Sequence, residues 1–209
     1  MRPLIARHVT LFAGLLMAVA ACSSPSPQAV SDGGDNGTPA PSFEDPSASS
    51  SAGSAPKVAD PLDGSRYQKA PCSVLSRSQL SPYGVGAGTP NTSGAVAENA
   101  GPSCSWANTD EGSGITVGFF VGIRDGLTGL YRGNSLGRFP YFEPTSIDGY
   151  PAVLADFVDR RSDGSCQMVV ALNDKLAVGV NRVRGNPEQA CSDARNIASN
   201  RLRTVKGSS

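Results

Sequence analysis

The sequence predicts an α+β domain over residues 65–209, a twisted antiparallel sheet of about five strands packed by a C-terminal helix and a short N-terminal helix. Three observations carry that prediction. Ile115, Val117, Phe119 and Val121 recur at every second position, the period of a strand with one buried face. Three apolar runs, 151–158, 166–172 and 176–183, are separated by the turn sequences Arg161-Ser-Asp-Gly164 and Asn173-Asp174, the layout of an antiparallel meander. Ala190, Ala194, Ile197, Ala198, Leu202 and Val205 recur at helical spacing and form an apolar stripe.

Taken in chain order, Ser76-Arg-Ser-Gln79 matches a capping box, so a short helix is expected from Ser76 to Tyr83, stopped by Gly84. Residues 84–103 are rich in Gly, Ala and Asn and read as a loop. Cys104-Ser-Trp106 then enters a hairpin that turns at 108–113. Leu127, Leu130 and Tyr131 fit a weak helix, against which the nearby glycines count. In Arg138-Phe-Pro-Tyr-Phe142, followed by Glu143-Pro144, the prolines oppose a central strand, and the tract reads as an extended surface segment. Asn186 as N-cap and Pro187 at N1 open the final helix, with Arg195, Arg201 and Arg203 off its stripe or late in it.

The residues ahead of the domain read as an address and a tether. Arg2 and Arg7 precede an uncharged run of thirteen residues, Val9 to Ala21. A helix needs roughly 20 residues to cross a hydrocarbon core of about 30 Å, so residues 1–21 are expected to be a signal peptide. The run ends Val19-Ala-Ala-Cys22, which resembles the bacterial lipobox and implies cleavage before Cys22 and lipidation of its thiol. A diacylglycerol there anchors stably where one acyl chain would not. Residues 22–64, Ser-, Pro-, Gly- and Ala-rich, are expected to be a disordered tether. About 40 such residues span roughly 35 Å as a coil. The expected location is the outer face of the cytoplasmic membrane.

Cysteine usage agrees with export. Cys72, Cys104, Cys166 and Cys191 are an even set in the domain, so two disulfides are expected. Three connectivities are open; Cys72–Cys104 with Cys166–Cys191 is preferred, each closing a loop of about 25–35 residues and stabilising by about 3–4 kcal/mol. The C-x-x-C pairing that builds zinc sites is absent, and no metal is expected.

The only histidine is His8, inside the signal segment, which removes imidazole-based hydrolysis and most zinc and copper sites from the domain. Phosphate-loop, dinucleotide and nucleophile-elbow motifs are missing, and no cofactor is expected. Fifteen Lys and Arg against twelve Asp and Glu in the domain give no reason to expect nucleic acid. Asp156, Asp159 and Asp163 support one enzymatic alternative, a hydrolase of envelope glycans, which needs two carboxyls about 5–9.5 Å apart across a cleft. Arg160, Arg161 and the Asp163-Gly164 turn favour a solvated hairpin instead. Trp106, Phe139, Tyr141 and Phe142 are the candidate binding residues, for an apolar ligand or an envelope protein; Phe119, Phe120 and Tyr131 belong to the same set of aromatics that line either a pocket or the core.

Pro71-Cys72-Ser-Val-Leu75, Cys104-Ser-Trp106, Gly149-Tyr-Pro-Ala152, Cys166 and Ala190-Cys191-x-x-Ala194, in that order, resemble an actinobacterial lipoprotein family, domain of unknown function 3558. The resemblance covers about Ala70 to Leu202. It implies an envelope location and paired cysteines, and it brings no catalytic residues. The leading expectation is a membrane-anchored lipoprotein that binds a ligand or partner without catalysis.

Overall fold

β-branched residues cluster in 166–183, and those runs take the interior of a sheet whose outer strands are poorer in them. The computed structural model describes residues 53–207. The expected signal segment, Cys22 and the expected tether as far as residue 52 lie outside the described residues. The elements are α1 (Ser65–Lys69), α2 (Arg77–Leu80), β1 (Gly88–Asn91), α3 (Gly94–Asn99), β2 (Ser103–Asn108), β3 (Ser113–Phe120), α4 (Leu127–Ser135), β4 (Tyr141–Ile147), β5 (Tyr150–Asp156), β6 (Cys166–Ala171), β7 (Ala177–Val183) and α5 (Ala190–Lys206). The strands form one sheet in the order β1-β2-β3-β7-β6-β5-β4, antiparallel throughout. Among the described residues no helix is long and apolar enough to cross a membrane.

The fold is α+β as predicted, with seven strands in place of about five. The two additional strands, β1 and β4, are the edges, and each contains a proline, Pro90 or Pro144. An edge strand leaves one side of its backbone unpaired, so the missing proline donor is tolerated and blunts the edge against further pairing. This corrects two expectations. Residues 84–103 are not all loop, since they hold β1 and α3; and Tyr141 and Phe142 open β4, so only Arg138 to Pro140 of the tract 138–142 stay outside a strand at the surface.

Register decides the faces. Phe119 pairs with Val178, Val117 with Val180, and these continue to Met168 and Val170 of β6 and to Ala152 and Leu154 of β5. The stripe of α5 packs on this face, with every predicted stripe residue from Ala190 to Val205 buried. Arg201 departs from its expected place, because it too is fully buried. Both disulfides fasten this side: Cys72–Cys104 ties the short turn Pro71–Val74 to β2, and Cys166–Cys191 ties α5 to β6. The capping box forms as expected, Ser76 Oγ accepting from the Gln79 N–H while Gln79 Oε1 accepts from the Ser76 N–H. The regular helix α5 starts one turn later than predicted; Asn186 Oδ1 accepts from the Glu188 N–H in the lead-in turn.

The end of the expected tether belongs to the domain. The Leu62 N–H donates to the Leu172 carbonyl at 2.8 Å, the Val58 N–H to Asp174 Oδ1 at 3.2 Å, and the Tyr150 hydroxyl to the Asp60 carbonyl at 2.9 Å. Val58 and Leu62 are buried against the β6–β7 hairpin end. Two apolar anchors and these hydrogen bonds hold residues 53–64, so a boundary at residue 64 falls too late in the chain.

Candidate functional site

The second face of the sheet carries the alternate residues: Thr116, Gly118 and Phe120 of β3, Gly179 and Asn181 of β7, Gln167 and Val169 of β6. Helix α4 approaches it at β6, and Val153 and Val169 are buried there. Between α3 and α4 the face stays open. A cleft of about 470 Å³ lies in that gap, its apolar walls made by Phe120, Ile123, Leu130, Phe139 and Phe157. A second depression of about 180 Å³ shares Ala100, Phe120 and Gln167 with it and runs on over Gly118 and Gly179 to Asn181. The combined shape is a shallow groove across the sheet, in the volume range of small-molecule sites.

Glycines make the groove possible by close approach. A Cβ on Gly179 would stand 2.7 Å from Cζ of Phe120, so only glycine lets that ring lie over β7. A Cβ on Gly133 would stand 3.0 Å from Cε2 of Phe139. Helical glycine costs about 1 kcal/mol relative to alanine; here it admits the aromatic wall. That wall is continuous: Phe139 stacks on Phe157 at 4.9 Å between centroids, Phe139 lies 5.8 Å from Phe142, and Phe142 meets Tyr131 edge-on at 5.0 Å. Phe157 is nevertheless 67% exposed, and Val96, on the rim of the second depression, 65%. Apolar side chains thus stand open to solvent beside both depressions.

The polar groups are few. Arg138 is the single charged residue lining the larger cleft, which also touches Asn99 and Gln167. At the far end Asn181 Oδ1 is buried and has no hydrogen-bond partner among the described residues, an acceptor left for a donor to satisfy.

A family model described as protein of unknown function (DUF3558) matches residues 17–204. The chain belongs to this family. No curated protein and no solved structure matches it. The resemblance read from the motif order is thus shown for the family, and the DUF3558 label assigns no residue a role.

Of the four aromatics expected to bind, the DUF3558 domain brings only Phe139 to the groove wall, with Phe142 packed behind it. Tyr141 faces the opposite side of the sheet, buried under the Arg161 guanidinium at 4.0 Å; burial pushes its hydroxyl up to about 12. Trp106 is core, 3% exposed. Phe120, weighed from the sequence as a pocket aromatic, does line the groove: two consecutive rings in one strand, Phe119-Phe120, place an aromatic on each face. Ile123 and Phe157 were not singled out, and no local pattern marks them.

The acidic turn is neutralised locally. Asp156 pairs with Arg160 at 3.5 Å, and Asp159 with Arg161 at 2.7 Å, while Arg161 also reaches Glu143 at 2.8 Å. The Arg161 hydrogen bonds hold the Asp159 carboxyl down at about 2. A glycosidase acid needs the opposite shift, towards the working pH. Asp163 closes the short helical turn Arg161–Asp163. Among the described residues no three His, Cys, Asp or Glu side chains gather to hold a metal ion.

Proposed function

We propose that this protein is a lipid-anchored envelope protein whose domain binds an apolar ligand in the groove on the second sheet face and catalyses no reaction. The observation that carries the reading is the groove itself: apolar walls left uncovered between α3 and α4, with Phe157 exposed at the mouth. Membrane attachment rests on Val19-Ala-Ala-Cys22 after the thirteen-residue apolar run, and the family match starts at residue 17, so Cys22 lies within the shared region. Two disulfides suit an oxidising compartment outside the cytoplasm. The glycan-hydrolase alternative is disfavoured because Asp156 and Asp159 are each tied to an arginine.

Full-length protein purified from its native membranes provides the test. Intact mass is expected to show diacylglycerol on Cys22, lost in Cys22→Ala. Solvent extraction is expected to release an apolar compound from the wild type that is depleted at least about fivefold, roughly 1 kcal/mol of binding, from Phe157→Asp. Equal amounts of every extracted species from both proteins would remove the groove as the binding site.

A further inference from the structure

The ligand's chemical class can be read from the one charge in the groove. Resting on the binding role proposed above, we infer that the groove takes an anionic amphiphile, a long alkyl or acyl chain with a carboxylate or phosphate at one end, and that Arg138 receives the anionic end.

Arg138 is held in place by the end of α4. Gly137, at φ +68°, leaves the helix in the left-handed region, the Gly137 N–H donates to the Asn134 carbonyl at 2.9 Å, and the Arg138 N–H donates to the Gly133 carbonyl at 3.1 Å. This helix-terminating turn sets the Arg138 side chain beside Gly133, at the aromatic wall. Of the other arginines of this region, Arg132 pairs with Asp125 at 2.8 Å, Arg160 with Asp156, and Arg161 with Asp159 and Glu143, while Arg124 does not line the cleft. Arg138 forms no ion pair among the described residues, and the cleft lining contains no acid. An exposed guanidinium at the edge of an apolar groove, with its donors unspent among the described residues, is complementary to oxygen anions, which it binds through two parallel hydrogen bonds.

The rest of the groove suits a thin chain. Its floor passes from Phe120 over Gly118 and Gly179, where no side chain rises from the sheet, with Ser103 beside Gly118, and ends at the polar row Thr116, Asn181 and Gln167. A flexible alkyl chain can lie along such a track, gaining roughly 0.8 kcal/mol for each methylene it buries.

The experiment uses the full chain in vesicles of an uncharged glycolipid, with two photoreactive probes: a sixteen-carbon carboxylate and the sixteen-carbon alcohol, each with the same mid-chain diazirine. Labelled residues are mapped by peptide mass spectrometry. The carboxylate is expected to label residues 118–139 about tenfold more than the alcohol does, the yield of one charge-assisted contact. Arg138→Gln is expected to bring carboxylate labelling down to the alcohol's level without moving alcohol labelling or the melting temperature, and Arg138→Lys to restore part of it. Equal labelling of the groove by both probes in the wild type overturns the anionic end and leaves an apolar site standing. Undiminished carboxylate labelling in Arg138→Gln overturns Arg138 as its receptor. Labelling of the groove by neither probe, where the wild type is folded, brings down both this inference and the binding role.

Discussion

Phe119 and Phe120 are neighbours in β3 and belong to two different interiors. Phe119 is fully buried beneath α5, on the face that both disulfides fasten; Phe120 is partly exposed and floors the groove on the other face. The same sheet therefore has one side closed for stability and one side left partly open. The difference teaches where selection for stability stops: covering the second face with one more helix would bury more apolar surface, and the domain forgoes it, as proteins do where a site must stay accessible. Phe119→Ala is expected to cost about 3–5 kcal/mol, the range for deleting a buried ring. Phe120→Ala is expected to cost less, roughly 1–2 kcal/mol, since a partly exposed ring withdraws less apolar area from water on folding. Urea unfolding of the two variants checks this; similar losses would mean that the two faces are equally closed.

The closed face has one flaw, and it sharpens the contrast. Two arginines are buried there. Arg182 is satisfied, donating to the Gly114 carbonyl at 2.9 Å and facing Asp193 at 3.4 Å. Arg201 has no hydrogen-bond partner for any of its three guanidinium nitrogens among the described residues and only the Phe119 ring, 5.3 Å away, beside its charge. Such a cation–π contact offsets about 2 kcal/mol of the desolvation. Arg201→Met, similar in length and apolar, is expected to raise stability by about 1–4 kcal/mol. The pH dependence has a definite sign. Burial pushes the Arg201 pKa down to about 9, below its ordinary 12.5, so between those values the unfolded chain binds more protons than the native one. Below pH 9 the penalty is present in full, and above it the wild type recovers stability relative to Arg201→Met. Calorimetry at pH 8 and pH 10.5 should show the gap between the two proteins narrowing; a gap that widens would mean Arg201 is stabilised in its charged form.

The two faces also differ in how legible they were. The closed face is periodic: the alternation through β3, the meander of β5 to β7 and the α5 stripe each follow a single local pattern, and the preferred pair Cys166–Cys191 joins two elements those patterns had already placed, β6 and α5. Arg201 obeys the stripe as well, four residues after Ile197 and four before Val205, but its charge outweighed its position in the reading. The groove follows no local pattern. Its walls come from α3, β3, α4 and the isolated residues Phe139 and Phe157, which only the strand order brings together. Edge strands β1 and β4 were hidden by their prolines, and with β4 unseen the alternation of Tyr141 and Phe142 to opposite faces could not be anticipated.

The smallest effect tests the open face most gently. Gly118 lies on the groove floor, and a Cβ there would meet only the Ser103 Cβ, at an ordinary 3.6 Å. Its backbone is outside the left-handed region that would favour glycine. Glycine inside a strand is destabilising by roughly 0.5–1 kcal/mol relative to alanine, through the extra freedom of the unfolded chain. Gly118→Ala should therefore stabilise the domain by a few tenths to about 1 kcal/mol, because the added methyl enters open space. The same methyl narrows the track on which the proposed ligand lies, so stability and ligand retention are expected to move in opposite directions. Thermal unfolding beside ligand extraction reads both quantities from one preparation. A destabilised Gly118→Ala would show that something already packs against that floor, and the openness of the second face would have to be given up at β3.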